Sequence, residues 1–525
     1  MMTEKNRASR IFNQPNVCNV NNQLPIEKTS TEETLDPANW EELKTLGRTM
    51  VDDMIGFLQS IRQQPVWKKP PQETVEYFNS SLPESPQSLE EVYAGFKKNI
   101  LPYYTGNIHP RFWGWVMGTG TAQGMLAEML AAGMNCNVGI GDQAPMYADQ
   151  QVINWCKEMM GFPAESSGVL VSGASVANLN ALVVARNAAD RSIRQKGLPA
   201  GHGRLRMYAS TETHSCIQKA AEIMGIGTEG LRKVRVNDAY QLDLLHLEEL
   251  IEKDKYAGDL PFCVVANTGT VNTGAIDPLN EIFHIARKHK LWFHVDGAFG
   301  AMLKLLPEYD ELVNVISRAD SVAFDLHKWM SVPYEAGVVL VKDAVVHRGT
   351  YSLQPDYIAN QERGIAGGPE LVSNFGIDLS RGFKALKVWM GIKEQGIEKF
   401  RNIIRQNILQ ASYLEKKIKD TKDLELMAPV DTNIVCYRYN PGGLTGAELN
   451  MLNKEILMQL QENGTAAPSY TKLGDMYCLR AAICNHRSRL EDFDMLVIET
   501  LKLGKNLMKD GSRFPAAAFN SSGKI

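Results

Sequence analysis

Between about residues 105 and 400 the chain alternates short β-branched apolar runs with longer helical stretches, and this alternation narrows the possible folds most. The runs read "GVLVS" at 168–172, "PFCVVAN" at 261–267, "LWFHV" at 291–295, "SVAF" at 321–324 and "GVVLV" at 337–341. Apolar strands alternating with helices imply an α/β domain whose sheet is largely parallel and covered on both faces.

The flanks read differently. Residues 1 to about 35 are Asn-, Gln- and Thr-rich with few large apolar groups, as a solvated tail is. From Asp36 to Ile61, the residues Leu43, Leu46, Met50, Met54, Leu58 and Ile61 recur at helical spacing. "QQPVWKKPPQETV" ends that helix, and two further helical stretches lead to Pro102. From about 400 a long helix, "EKFRNIIRQNILQASYLEKKIKD", leads to two strand-like runs, "TNIVCYRY" and "MYCLRAAICN". These suit a smaller α+β domain, and 525 residues leave room for two or three domains of roughly 100–200 residues each.

Several function classes are disfavoured. A net charge of −4 supplies no basic face for nucleic acid. The apolar runs fall well short of the roughly 20 residues of a membrane span, and "MMTEKNRASRIFNQPNVCNVNNQLP" holds no continuous apolar core of a secretion signal. Eight cysteines are scattered without a CxxC pair and there is no HExxH, so neither a disulfide framework nor a metal site is expected. The expectation is a cytoplasmic protein with no membrane or nucleic-acid partner.

In open α/β sheets ligands sit outside the carboxyl ends of strands, so the residues that follow each run matter most. Asp296 follows "LWFHV" and precedes Gly297 and Ala298, which serves a planar ligand or a plain Asp-Gly turn. Lys328 follows "SVAFDLH" and precedes Trp329 and Met330. A charged lysine between apolar segments is costly to bury without a partner or a role. At a strand end it can form a Schiff base, or it can snorkel to the surface. After "GVLV", Ser172 to Ser175 enter a helix whose apolar face is Val176, Leu179 and Val183. Small residues there cap the helix and can also cradle a phosphate. "NTGTVNTGAIDP" is a fourth polar turn, or a plain loop.

One cofactor uses a lysine, an acid and an anion site together. Pyridoxal phosphate needs the lysine for its aldehyde, the acid to keep its pyridine nitrogen protonated, and a cup for its phosphate. His214, in "TETHSCIQKA", starts a further helix and can stack on the ring or serve only as a polar helix start.

With these residues in view, the chain resembles the group II pyridoxal-phosphate decarboxylases, the family of aromatic-L-amino-acid, histidine and glutamate decarboxylases. The likeness runs from about Asp36 to about Glu499 through "HPRFWGW", "LAEMLAAGMN", "SGASVANL", "TETHSCIQKA", "TGTVNTGAIDP", "HVDGAFG", "DLHKWM", "QPDYIAN", "LSRGFKALKVW" and "LRAAICNHR". It implies a fold of the aspartate-aminotransferase type (fold type I) and an obligate homodimer. The implied division is a helical arm and dimer segment at 36–120, a large cofactor domain at 121–400 and a small α+β domain at 401–510, between tails at 1–35 and 511–525. The implied activity is pyridoxal-phosphate-dependent decarboxylation of an L-amino acid. An aminotransferase or oxidative aldehyde synthase on the same fold is the alternative.

By position, Lys328 resembles the Schiff-base lysine, Asp296 the partner of the ring nitrogen, and His214 the residue stacked on the ring, with Ala298 against its other face. Ala174, Ser175 and His327 resemble phosphate-side contacts, and Thr270 a hydroxyl near the cofactor. Tyr357 resembles the loop tyrosine that helps to return a proton after CO2 leaves, where aldehyde-forming relatives tend to have phenylalanine. The Gly-rich "QERGIAGGPELVSN" beyond it resembles a mobile lid. Three positions depart from the family pattern: Val271 replaces a threonine, Asp325-Leu326 replaces Asn-Pro, and Gly297 replaces a common alanine.

His109 to Gly118 falls where family members line the substrate pocket. Trp113 and Trp115 suit a flat apolar side chain. Asn135 and Asn137 resemble the more polar pockets that take acidic substrates, and Arg111 can clasp a second carboxylate or pair structurally. Aromatic and acidic substrates both stay open. A rival class rests on Gly118, Gly120 and Gly124 with Asp142 about 20 residues on, which resembles a dinucleotide fingerprint after a poor strand, "HPRFWGWV".

Overall fold

The computed structural model describes residues 33–198, 203–353 and 361–509. The chain separates into two compact units, residues 1–54 and 55–525. The described part of the first is mostly the opening of the helix Trp40–Gln59, which the division cuts after Met54; Asn39 starts the helix, its Oδ1 accepting from Glu41 N–H at 3.0 Å. Its apolar positions Leu43, Leu46, Met50 and Met54 are half-buried, and the helix buries no residue fully.

In the second unit, seven strands form one sheet in the order Ser167–Val171, Gly337–Val341, Ser321–Asp325, Trp292–Asp296, Leu260–Asn267, Leu205–Ser210, Leu231–Val234. Only Gly337–Val341 runs antiparallel to its neighbours. All five expected strands are present. The two not read from sequence carry charge for a local reason: Arg206 pairs with Asp259 at 2.6 Å, and Arg232 with Asp254.

The helix Ala174–Ala189 covers the centre of one face, burying Ala177, Ala181 and Ala185. Small residues let the helix lie close to Val339 and Val341, fully buried on the sheet face that also carries Asp325. Each such side chain contributes about 1.5–3 kcal/mol by leaving water. That close fit fixes where the helix start stands relative to the strand ends.

A second, smaller sheet has the order Phe112–Trp113, Ala467–Leu473, Met476–Ala482, Ile434–Tyr439, Leu424–Leu426. It carries its own core of Trp113, Tyr437, Leu479 and Phe493, among others. Sequence reading found two of its strands. The expected long helix is the second part of Ala385–Asp420, which is broken at Gly396, where φ is +68°.

The three glycines of the rival fingerprint follow the two-residue strand Phe112–Trp113 of the small sheet rather than a strand of the large one. A Cβ at Gly118 would stand 1.7 Å from the His327 carbonyl oxygen, and one at Gly124 2.4 Å from Pro333. Gly118 and Gly124 are glycines because the backbone passes against the Lys328 turn, Gly120 because its φ is +61°, and no βαβ unit is present there.

Candidate active site

The strand Ser321–Asp325 is buried throughout and ends in Asp325, after which the chain turns through His327 and Lys328. Lys328 Nζ lies 3.0 Å from Asp325 Oδ2, so the charge that looked costly has a partner. His327 is buried, and its Nδ1 accepts from Ala336 N–H at 3.1 Å. Its Nε2 faces Asp325 Oδ2 at 3.7 Å, and Tyr334 lies against its ring with centroids 4.4 Å apart. Burial holds the His327 pKa below the usual histidine range, so the ring is neutral.

One strand over, Asp296 ends Trp292–Asp296. Burial pushes its carboxyl above the usual range; Lys328, His214, the Asn178 amide and Ala298 N–H, at 3.2 Å, pull the other way. His214 caps the helix Ser215–Ile223, its Nδ1 accepting from Cys216 N–H at 3.2 Å. Burial lowers its pKa too, leaving a neutral ring. Gly297 departs from the family because a Cβ there would meet the Ala301 methyl at 2.5 Å.

The helix Ala174–Ala189 begins at the same end of the sheet, after Gly173. Gly337 must be glycine beside it, since a Cβ would stand 2.5 Å from the Gly173 backbone. The first amide of the helix is already engaged: Ala174 N–H donates to Asp325 Oδ1 at 2.6 Å. Asp325 therefore binds both the helix start and Lys328.

These groups share a cavity of about 590 Å³, with Ser175, His214, Asp296, Ala298, His327 and Lys328 on its wall. The donor set fits pyridoxal phosphate. It offers an amine for the aldehyde, a buried acid for the ring nitrogen, the neutral His214 ring and the small Ala298 side chain on the same wall, and a helix start of small residues for the phosphate.

Other expected residues stand elsewhere. His109 is fully buried with Nε2 on Gln64 O at 3.0 Å, so it joins chain segments and does not face the cavity. Trp113 stacks on Phe493 in the small-domain core, centroids 4.8 Å apart, and its indole N–H donates to Ser488. Asn137 Oδ1 accepts from Gly139 N–H and Arg381 N–H, each at 2.9 Å, which makes it a loop anchor. Thr270 is buried in its turn, where its Oγ1 meets Thr273 Oγ1 and Ala275 N–H. Arg111 donates to Met495 Sδ, away from the cavity. Trp115 does line the cavity. Tyr357 lies outside the described residues.

Sequence reasoning missed Asn178, Tyr334, Tyr470 and Arg480, which all line the cavity. Arg480 had a signal. It is a charged residue inside an apolar strand, the same anomaly that singled out Lys328.

Fold and site together define a pyridoxal-phosphate-dependent enzyme of the aspartate-aminotransferase type. The chain matches the pyridoxal-dependent decarboxylase conserved domain over residues 71–440. An aromatic-L-amino-acid decarboxylase from Bacillus atrophaeus is 30% identical over 476 residues, 89% of this chain and 96% of that protein. A phenylacetaldehyde synthase from Arabidopsis thaliana is 30% identical over 464 residues, 86% of this chain and 93% of that protein. Among solved structures, Oryza sativa TDC with PLP and tryptamine has the same fold, with a TM-score of 0.84 at 24% identity, covering 90% of this chain and 100% of that one. The chain belongs to the pyridoxal-dependent decarboxylase family: it is an amino-acid carboxy-lyase with pyridoxal phosphate as its cofactor.

Proposed function

We propose that this decarboxylase acts on an aromatic L-amino acid. One observation carries the reading: among the described residues the cavity wall offers ring surfaces and no uncommitted cation for a second carboxylate. Trp115, Phe299, Tyr334 and Tyr470 supply the rings. Arg480, the arginine of the wall, gives its N–H groups to the carbonyls of Asn272 and Trp115, each at 2.9 Å, to Val271 O, and to Ser469 Oγ. Ring contacts add about 0.5–1.5 kcal/mol beyond area burial, whereas a carboxylate desolvated without a partner is strongly disfavoured. The aromatic-L-amino-acid decarboxylase among the relatives supports the same substrate class.

In this reading Lys328 would hold the cofactor's aldehyde carbon and Asp296 a proton at the pyridine nitrogen. His214 and Ala298 would hold the ring, and Ala174, Ser175 and His327 the phosphate. Bound there, pyridoxal phosphate supplies the electron sink for the pair left at Cα when CO2 departs. Tyr357, by its place in the sequence, returns the proton to Cα, which favours amine over aldehyde as product.

The homodimer belongs to the same proposal, as does the division into an arm at 36–120, a large domain at 121–400 and a small domain at 401–510. Met129, Leu130 and Met134 stand exposed on the helix Ala122–Met134, as apolar groups at a subunit interface do in one chain alone. No described helix is long and apolar enough to cross a membrane. The seven described cysteines are free, which supports a reducing compartment such as the cytoplasm.

The test is product analysis of the cofactor-loaded protein with each common L-amino acid, dihydroxyphenylalanine and cysteine sulfinate. An aromatic amine formed one-to-one with CO2 is expected. Turnover confined to glutamate or cysteine sulfinate would overturn the aromatic reading, and aldehyde with ammonia would move the chain to the oxidative branch.

A further inference from the structure

Behind Asp296 lies a chain of buried polar groups that catalysis as described does not use. Along the strand Trp292–Asp296, every second side chain points to one face, so Trp292, His294 and Asp296 share a side. The neighbouring strand pairs Ser321 with His294 and Ala323 with Asp296, which puts Ser321 on that same face. The helix Ala174–Ala189 lies over it and lowers Asn178 onto His294.

The contacts run in one line. Trp292 Nε1–H donates to Ser321 Oγ at 2.8 Å, and Ser321 Oγ meets His294 Nδ1 at 2.8 Å. His294 Nε2 meets Asn178 Oδ1 at 2.7 Å; Asn178 Nδ2, on the other side, donates to Cys216 Sγ at 3.5 Å on the cavity wall they share with Asp296, whose pKa this amide helps to lower. His294, Ser321 and Asn178 are completely buried, so none can exchange its partner for water.

Both ends of the line are fixed in kind. An indole N–H can only donate, and Asp296, ionised when it partners a protonated pyridine nitrogen, can only accept. With a neutral imidazole between them there is one consistent arrangement: Trp292 to Ser321, Ser321 O–H to Nδ1, Nε2–H to Asn178 Oδ1, and Asn178 N–H to Asp296. The opposite arrangement would aim the Asn178 carbonyl at the carboxylate. Burial pushes the His294 pKa down to about 3, which keeps that ring neutral at any working pH.

We infer that Trp292, Ser321, His294 and Asn178 act as a positioning chain that fixes the amide donor on Asp296 and so favours its ionised form. The inference rests on the reading of Asp296 as the partner of the pyridine nitrogen. A carboxylate stabilised by a neutral donor keeps its full charge for the ring, whereas an ion pair from the protein would cancel part of it.

The experiment compares His294→Phe, His294→Gln and Ser321→Ala with the parent holoenzyme. Its readouts are the dissociation constant for pyridoxal phosphate, the pH titration of the bound cofactor's absorbance, and kcat against KM. In His294→Phe the dissociation constant should rise about tenfold and the titration move by about one pH unit, with kcat falling more than KM changes. His294→Gln, which can still present an N–H toward Asn178, should recover most of both. Ser321→Ala, remote from the cavity, should shift both readouts the same way by roughly threefold or less. Asp296→Asn separates the two layers of the argument. If it leaves affinity and absorbance unchanged, the reading of Asp296 fails and the inference with it. If it changes both while folded His294→Phe and Ser321→Ala change neither, the positioning chain alone is overturned.

Discussion

Asp296 and Asp325 end neighbouring parallel strands on the same face of the sheet, and the loop after the first is tied to the second by Asp325 N–H on Ala298 O at 2.9 Å. Their surroundings are opposite. Asp325 takes the Ala174 amide on one oxygen and the Lys328 ammonium on the other, with His327 nearby. Asp296, among the described residues, forms no ion pair within 4 Å; it takes one backbone N–H at 3.2 Å, while Lys328, the neutral His214 and the Asn178 amide act on it without a direct ion pair. A buried carboxylate whose lone pairs already meet a cation gains little from a second one. A buried carboxylate short of counter-charge gains most from a new cation. The same residue type at adjacent strand ends thus gives one structural clasp and one cofactor-ready acid.

Asp296→Asn tests that difference where it is greatest. The variant keeps the shape and loses the charge, so kcat is expected to fall by about 10²–10³-fold, the scale seen when a single electrostatic stabiliser is removed. Steady-state kinetics of the cofactor-saturated variant check it, and an unchanged kcat would erase the distinction between the two acids. Asp325→Asn should do the reverse at smaller scale. Asn still accepts from Ala174 N–H but no longer competes with an anion for the helix start or holds Lys328 by charge. Cofactor affinity is expected to tighten about tenfold, read by fluorescence titration. Weaker binding would show that the lysine needs its counter-ion and that both strand ends serve the cofactor alike.

The strand ends were legible in sequence because burial leaves few options there. A polar group at the end of an apolar strand stands out, and Lys328, Asp296, Ser175 and His214 are brought together as that logic expects. The segment from His109 to Asn137 was not legible by the same route. Its polar and aromatic residues look alike whether they face a ligand or another chain segment, and the partners that decide the matter are distant: Ser488 and Phe493 for Trp113, Arg381 for Asn137. Two of the five strands of the small sheet could be read, while Phe112–Trp113 and Leu424–Leu426 are too short to show a period. The polar line behind Asp296 did have a signature, since Trp292, His294 and Asp296 alternate with Phe293 and Val295. Read as one apolar run, that alternation disappears.

The smallest effect concerns protons. In the cofactor-free protein, burial holds the Asp296 carboxyl above its ordinary pKa, so the folded chain keeps a proton there that the unfolded chain has already released. Where the folded state binds more protons, stability falls as pH rises, from the unfolded value of about 3.9 through the folded one. Asp149 and Asp277, both pushed up to about 6 by burial, slope the curve in the same direction, so the parent protein alone cannot isolate the effect. His294, near 3 when folded, is neutral there but takes up a proton on unfolding below about 6.5, so it slopes the curve the opposite way, equally in parent and variant. The comparison is therefore between parent and Asp296→Asn, melted without cofactor at a series of pH values from about 4 to 7. The variant lacks one titrating group and should show the flatter decline, by about 2 °C across the series. Loading the parent with pyridoxal phosphate should flatten it too, because a cation at the carboxylate draws its pKa back down. Parallel curves for parent and variant would mean that Asp296 ionises as easily inside the protein as outside it, and the contrast with Asp325 would lose its electrostatic basis.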